Sequence, residues 1–430
     1  MVGTAAPSPL RTPLSHSFAN RTKRKDILRT ELLGPENDLH NRQPQDFRFA
    51  PDSFVCADID RRSGMRIAQV APLSESVPPR LYGGTERVVS WLTEKLVQLG
   101  HDVTLFASGD SVTHANLIPV CKKALRLDPN CIDPLAHHVL MIEEVFSRAA
   151  DFDLIHFHVD YLHFSLSSRS TVPCVTTLHG RLDLPDLVPI FKQFRDQPVV
   201  SISDRQRKPL PWLNWLGTVP HGLPADSLSL HTSKGGYLAF LGRIAPEKGI
   251  DRAIEISRRA GIPLKIAAKV DRADQEYFSA KIKPLLASPL IDFIGEIGNS
   301  EKDEFLGNAK ALLFPIQWPE PFGLVMIESM ACGTPVIAYP FGSVPEIVRD
   351  GVSGYLVSDI DEAVAAIGQL KNLDRRAVRQ HFELNFTDDR MAQNYLSIYN
   401  KLIHPKSTAL AVEEGVLNWM ELEPSTPSTT

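Results

Sequence analysis

Two glutamates bracket a Phe-Gly pair in the stretch PEPFGLVMIESMACGTP, residues 319–335. Glu320 precedes a mostly apolar run, and Glu328 lies five residues beyond Gly323, about one and a half helical turns further on. A carboxylate accepts hydrogen bonds from two hydroxyls at once, which suits a ribose or a sugar diol. A glycine at a helix start leaves backbone N–H groups open to a phosphate. A surface helix with chance glutamates would give Phe322, Gly323 and the LVMI run no reason to follow Glu320.

Three further stretches carry residues of the same kind. In LGRIAPEKG, Arg243 ends an apolar run and Lys248 precedes a helical pattern. Two cations beside a helix N-terminus suit a diphosphate, although a solvated loop would look the same in isolation. In YGGTERVV, Gly83 and Gly84 let the backbone approach a ligand, and Glu86 complements the helix dipole. This is not a G-x-G-x-x-G fingerprint, which argues against a dinucleotide enzyme. In HFHVDY, His156 and His158 are read as pointing to opposite faces of a sheet, one to the core and one to a cleft. His179 ends the next apolar run. A lone histidine at a strand end is more often structural than functional, but several on one rim weigh more. Diverging rings without a carboxylate cluster argue against a metal centre.

These residues need elements to place them. MRIAQVAP (65–72), DVTLFAS (102–108), DLIHFH (153–158), CVTTLH (174–179) and VVSIS (199–203) are short apolar runs that read as strands. Helical segments separate them; TERVVSWLTEKLVQLG places Val88, Val89, Trp91, Leu92, Leu96 and Leu99 at helical spacing before the stop at Gly100. The pattern restarts at GYLAFLGR (236–243) and runs on through PLKIAAK, LIDFIGEI, ALLFPI and PVIAYP. Strand–helix alternation implies right-handed crossovers and parallel sheets. The chain is therefore read as α/β, with two Rossmann-like doubly wound domains over 65–203 and 236–387 and a linker over 204–235. Residues 1–64 and 405–430 are rich in Pro, Ser and charge and are read as disordered extensions. The last helical segment, within 388–404, is expected to pack back onto the first domain.

Composition narrows the classes. The 430 residues carry 46 Lys and Arg against 51 Asp and Glu, a formal charge of −5, so no basic field points to nucleic acid. The five cysteines, Cys56, Cys121, Cys131, Cys174 and Cys332, are scattered without paired spacing, as in a reducing cytoplasm. No apolar run is long enough to span a bilayer. A cytoplasmic location is expected, with peripheral membrane contact left open.

In this order and spacing, the motifs resemble those of retaining glycosyltransferase family 4, whose members have the GT-B fold. The resemblance covers residues 65–404. Its most specific element is the E-x7-E pair Glu320 and Glu328, supported by LGRIAPEKG, YGGTERVV and GSVPEIVRDGVSGYLV. It implies transfer of a hexose-type sugar from a nucleoside diphosphate sugar to a glycan, lipid or small-molecule acceptor. By the same resemblance Arg243 and Lys248 neutralise the donor diphosphate, while Phe322, Gly323 and Leu324 bind the distal phosphate and sugar. Glu320 contacts donor sugar hydroxyls, Glu328 the ribose, and Gly83 and Gly84 close over the phosphates. His158 lies beside the anomeric carbon, and Val270 and Ile297 contact the base. No Asp-x-Asp motif stands out, so neither metal nor other cofactor is expected. No nucleophile is evident, which favours same-face attack with the leaving phosphate as base. VPHGL (219–223) departs from the Pro-Asn-Gly-Val turn usual there. Two alternatives remain at this level: a GT-B nucleotide-sugar epimerase, and a non-catalytic nucleotide-sugar-binding scaffold.

Overall fold

The computed structural model describes residues 64–233 and 235–405. The expected N-terminal extension, apart from Gly64, lies outside the described residues, as does the C-terminal tail after Lys406 begins.

Two parallel sheets organise the described chain. The first contains β1 (Arg66–Val70), β2 (Asp102–Ser108), β3 (Asn116–Cys121), β4 (Leu154–Phe157), β5 (Cys174–Thr177), β6 (Val199–Ser201) and β7 (Trp215–Thr218). Their spatial order is β3-β2-β1-β4-β5-β6-β7. The second contains β8 (Tyr237–Arg243), β9 (Leu264–Lys269), β10 (Ile291–Gly295), β11 (Ala309–Phe314), β12 (Val336–Ala338) and β13 (Gly354–Leu356), in the order β10-β9-β8-β11-β12-β13. Both sheets reverse direction beside their first strand, which is the doubly wound Rossmann order. Helices cover both faces, so central strands such as RIAQV and LIHF are buried nearly throughout rather than alternating.

The helix Gly84–Gln98 buries Val88, Val89, Leu92 and Leu96 against the first sheet, as its spacing predicts. Leu99 instead forms the C-cap and is exposed. Three strands escaped the sequence reading: β3, β7 and the three-residue β13 at the end of the second sheet. β3, with Pro119 inside it, is the outer strand beside β2, where a missing donor is tolerated. β7 falls inside the expected linker 204–235; it pairs with β6 and extends the first sheet. Its short WLGT run carries too little apolar signal to read as a strand alone.

The chain crosses between the sheets twice, and the two crossings lie side by side. Leu223 N–H donates to Phe386 O at 3.0 Å, and Asp388 N–H donates to Leu223 O at 3.1 Å. The helix Asp388–Ile403 then lies under the first sheet, burying Met391, Tyr395 and Tyr399 in its core. At the crossing the backbones approach so closely that a Cβ on Gly222 would stand 2.1 Å from Thr387 O. Gly222→Ala is therefore expected to cost about 1–3 kcal/mol by forcing these strands of chain apart. Denaturant unfolding of the variant beside the parent protein measures this.

Candidate functional site

The carboxyl ends of the two sheets border a shared cavity of about 510 Å³. Ligands in open α/β sheets bind outside the strand ends where the strand order reverses. Here the loops after β1, β8 and β11 supply the walls: Gly83 and Gly84 from the first, Arg243 and Lys248 from the second, Glu320 and Gly323 from the third.

The loop carrying Glu320 is held from behind. Ser343 N–H donates to Glu320 O at 2.9 Å, and Ser343 Oγ donates to Phe322 O at 2.8 Å. Ser203 Oγ, from the first domain, donates to Pro321 O at 2.7 Å. These bonds explain the place of Ser343 in GSVPEIV: it positions the loop rather than touching the cavity. Gly323 follows with φ 84°, a left-handed conformation, and a Cβ there would stand 2.8 Å from Met326 Cε and 3.2 Å from Phe314 Cζ. The helix Leu324–Ala331 begins there, and Glu328 emerges from it, 5% exposed, at the cavity wall. Gly83 precedes the helix Gly84–Gln98 in the same way, with φ 156° and Pro79 packed against it.

Most of the charged groups at the wall are held by a partner of opposite charge. Lys248 Nζ sits 2.5 Å from Glu320 Oε2 and 4.5 Å from the centre of the Trp318 ring. Arg243 is gripped by Asp274 at 2.5 Å and Glu247 at 2.6 Å. Glu328 Oε1 pairs with Lys302 Nζ at 2.5 Å. Burial pushes the Glu86 carboxyl up from its usual value. The first domain reaches across the cleft through Tyr82, whose N–H donates to Glu296 Oε1 at 3.1 Å.

Ten of the twelve residues to which the resemblance gives a role line this cavity: Gly83, Gly84, Arg243, Lys248 and Ile297, and then Glu320, Phe322, Gly323, Leu324 and Glu328. Val270 does not; it packs against the apolar cluster under the second sheet, and the end of β9 presents Ala267, Ala268 and Lys269 instead. His158 lines a smaller neighbouring cavity of about 290 Å³. His179 borders both cavities.

The two histidines of HFHVDY do not diverge. Residues two apart on a strand share a face, and the rings of His156 and His158 lie 4.1 Å apart. Their nitrogens enter one buried network. Gln69 Oε1 can only accept, so His158 Nε2 donates to it at 2.9 Å, and His158 Nδ1 accepts from His179 Nε2 at 2.9 Å. Gln69 Nε2 donates to Tyr399 Oη at 3.2 Å, Tyr399 donates to His156 Nδ1 at 2.7 Å, and His156 Nε2 donates to Thr177 Oγ1 at 2.8 Å. Both nitrogens of His158 are thus engaged, which leaves it no free lone pair for a substrate proton. Desolvation pulls the pKa values of His156, His158 and His221 well below the ordinary 6.5, and those of His163 and His179 down to about 3.

Lys302, Trp318 and Gln69 were not legible as site residues. Lys302 stands in NSEKDEF, an ordinary charged helix start, and only the fold brings it to Glu328. Among the described residues no cluster of three or more metal-ligating side chains occurs, and no helix is long and apolar enough to cross a membrane.

Two Rossmann-like sheets facing a cavity walled by glycine loops, cations and carboxylates define a GT-B glycosyltransferase. Family models agree over both halves: glycosyltransferase family 4 matches residues 82–216 and glycosyl transferases group 1 matches residues 229–383. The chain belongs to this group and is a glycosyltransferase. It is 26% identical over 350 residues to a phosphatidyl-myo-inositol mannosyltransferase of Mycobacterium leprae, covering 74% of this chain and 90% of that one. It is 34% identical over 204 residues to a D-inositol 3-phosphate glycosyltransferase of Mycobacterium marinum, covering 40% and 41% respectively. Among solved structures, a sucrose-phosphate synthase from Thermosynechococcus elongatus superposes with TM-score 0.67 at 19% identity, covering 80% of this chain and all of that one.

The buried histidines make stability depend on pH. In the unfolded chain they take up protons as pH falls through about 6.5, whereas in the folded protein they stay neutral; protonation therefore favours unfolding. Each histidine subtracts about 1.4 kcal/mol per pH unit below that point, and nothing above it. The denaturation midpoint is expected to fall steadily from pH 6.5 to 5, and a flat midpoint in urea titrations over that window would contradict the buried neutral network.

Proposed function

We propose that the protein is a retaining glycosyltransferase that moves a hexose-type sugar from a nucleoside diphosphate sugar to an acceptor hydroxyl. The observation that carries this reading is the single cavity in which Arg243, Lys248, Glu320 and Glu328 meet the N-termini of the helices Gly84–Gln98 and Leu324–Ala331. In it, Glu328 receives the ribose hydroxyls and Glu320 the hydroxyls of the donor sugar. Arg243 and Lys248, with the N–H groups after Gly323, take the diphosphate.

As the bond from the anomeric carbon to the leaving phosphate oxygen breaks, negative charge builds on the diphosphate. Cations already fixed by Glu320, Asp274 and Glu247 need little reorganisation to stabilise it. The acceptor oxygen bonds to the anomeric carbon from the same face, and its proton passes to the leaving phosphate oxygen. With both its nitrogens engaged, His158 shapes the wall of the smaller neighbouring cavity instead of moving a proton. The chemistry assigned to these residues calls for no metal.

The acceptor enters from the 290 Å³ cavity, which meets the donor cavity at Pro72, Thr85 and His179. Asp160 and His138 give that cavity polar walls suited to a polyhydroxylated molecule. Two relatives whose names carry inositol, a phosphatidyl-myo-inositol mannosyltransferase and a D-inositol 3-phosphate glycosyltransferase, support an inositol-type acceptor.

Isothermal calorimetry of UDP, GDP and ADP without added metal tests the donor reading. One of the three is expected to bind selectively, and Glu328→Ala to weaken it. Lys248→Ala is expected to lower turnover of the corresponding donor about 100- to 1000-fold, as loss of a group that stabilises developing charge does. Full turnover in both variants would rule the assignment out.

A further inference from the structure

Six basic side chains line the main cavity: Arg87, Arg126, Arg243, Lys248, Lys269 and Lys302. Five have a carboxylate partner. Arg126 pairs with Glu75 at 2.8 Å, Lys269 with Asp271 at 3.1 Å, and Lys302 with Glu328 at 2.5 Å, beside the pairs of Arg243 and Lys248 described above. Arg87 alone of the six has no ion pair among the described residues, yet it is 3% exposed. Its Nη2 donates to Leu81 O at 2.6 Å, and its Nη1 is shut away from solvent with no hydrogen-bond partner.

Such a guanidinium is costly in two ways. A buried charge without a counter-charge loses its hydration and gains little in return. Arg87 also stands in the first turn of the helix Gly84–Gln98, where the helix dipole favours anions and repels cations. Burial lowers its affinity for the proton, and the fields of Glu328 and Glu86 offset this only in part. A residue serving packing alone would be better apolar. An anion in the cavity, by contrast, would meet the Arg87 guanidinium and the open N–H groups after Gly83 together.

We propose that Arg87 is a phosphate-binding residue contributed by the first domain, gripping the donor diphosphate from the side opposite Arg243 and Lys248. The inference rests on the donor reading given above. It adds that the anion is shared between the domains, so that diphosphate binding draws them together. The hydrogen bond from Arg87 to Leu81 O, next to the Tyr82 bridge to Glu296, would carry that pull into the loop before the glycines.

The test compares each nucleoside diphosphate with its parent nucleoside. UDP, GDP and ADP, with uridine, guanosine and adenosine, are titrated into the full chain and into Arg87→Met. For the base that binds, affinity for the diphosphate should fall roughly 10- to 100-fold in the variant, because a charge-assisted contact is lost. Affinity for the nucleoside should stay within about twofold, and the ligand-free unfolding midpoint should equal or exceed that of the parent, since an unpaired buried charge is removed. Should Arg87→Met bind no nucleoside, Arg87→Lys decides by the same ratio, an intermediate loss supporting the proposal. An unchanged ratio while the parent protein binds its diphosphate overturns this proposal alone. Failure of the parent protein to bind any of the three overturns the donor reading and this inference with it.

Discussion

Parallel pairing within both sheets is the constraint from which the rest follows. It delivers every strand's carboxyl end to one edge of its sheet, and the order reversal beside β1 and beside β8 opens a crevice at each edge. The two crossings at Leu223 and Thr387 run side by side, so these edges face one another. The helix Asp388–Ile403 returns to the first sheet and is tied there by the bonds of Tyr399 to His156 and Gln69. The last helix among the described residues thus helps to form the floor beneath the first domain's half of the site.

Around the cavity, all the lining cations except Arg87 are paired with carboxylates. Lys248, Arg243 and Lys302 each rest against a carboxylate, and Lys248 also against the face of Trp318. The pairs hold long flexible side chains in fixed positions, which is what a developing negative charge requires, and they spare the ligand-free cleft a concentrated positive field. Glu320 and Glu328 then have two roles: each orients a lysine and each can still accept a hydroxyl on its second oxygen. The buried imidazoles near the cavity are kept neutral by desolvation, and His156 and His158 are locked through both ring nitrogens, so they contribute shape and hydrogen-bond order rather than charge.

Much of this was legible in the sequence because the signals are local. The strands are short apolar runs, the helices have a 3.6-residue period, and the Glu320–Glu328 spacing lies within one loop and one helix. What escaped was set by tertiary placement. Trp215–Thr218 is too short and too polar to announce a strand, and becomes one because β6 offers it an edge. Lys302 meets Glu328 only because two helices pack together. Val270 follows a strand toward the site but turns into the core. The reading of His156 and His158 as divergent failed on a plain rule of strand geometry, and the fold places both rings on one face. Arg87 could not be distinguished from other helix-surface arginines until the partners of its neighbours were known.

The central claim is that one nucleoside diphosphate lies between the domains and touches both. Hydrogen–deuterium exchange of the full chain, with UDP, GDP or ADP added in turn, measures that directly. The account predicts that the nucleotide that binds will slow exchange at residues 82–86 and 320–328 together, since the ligand covers one helix start from each domain. Protection confined to one domain, or none at either helix start despite saturation, would contradict it.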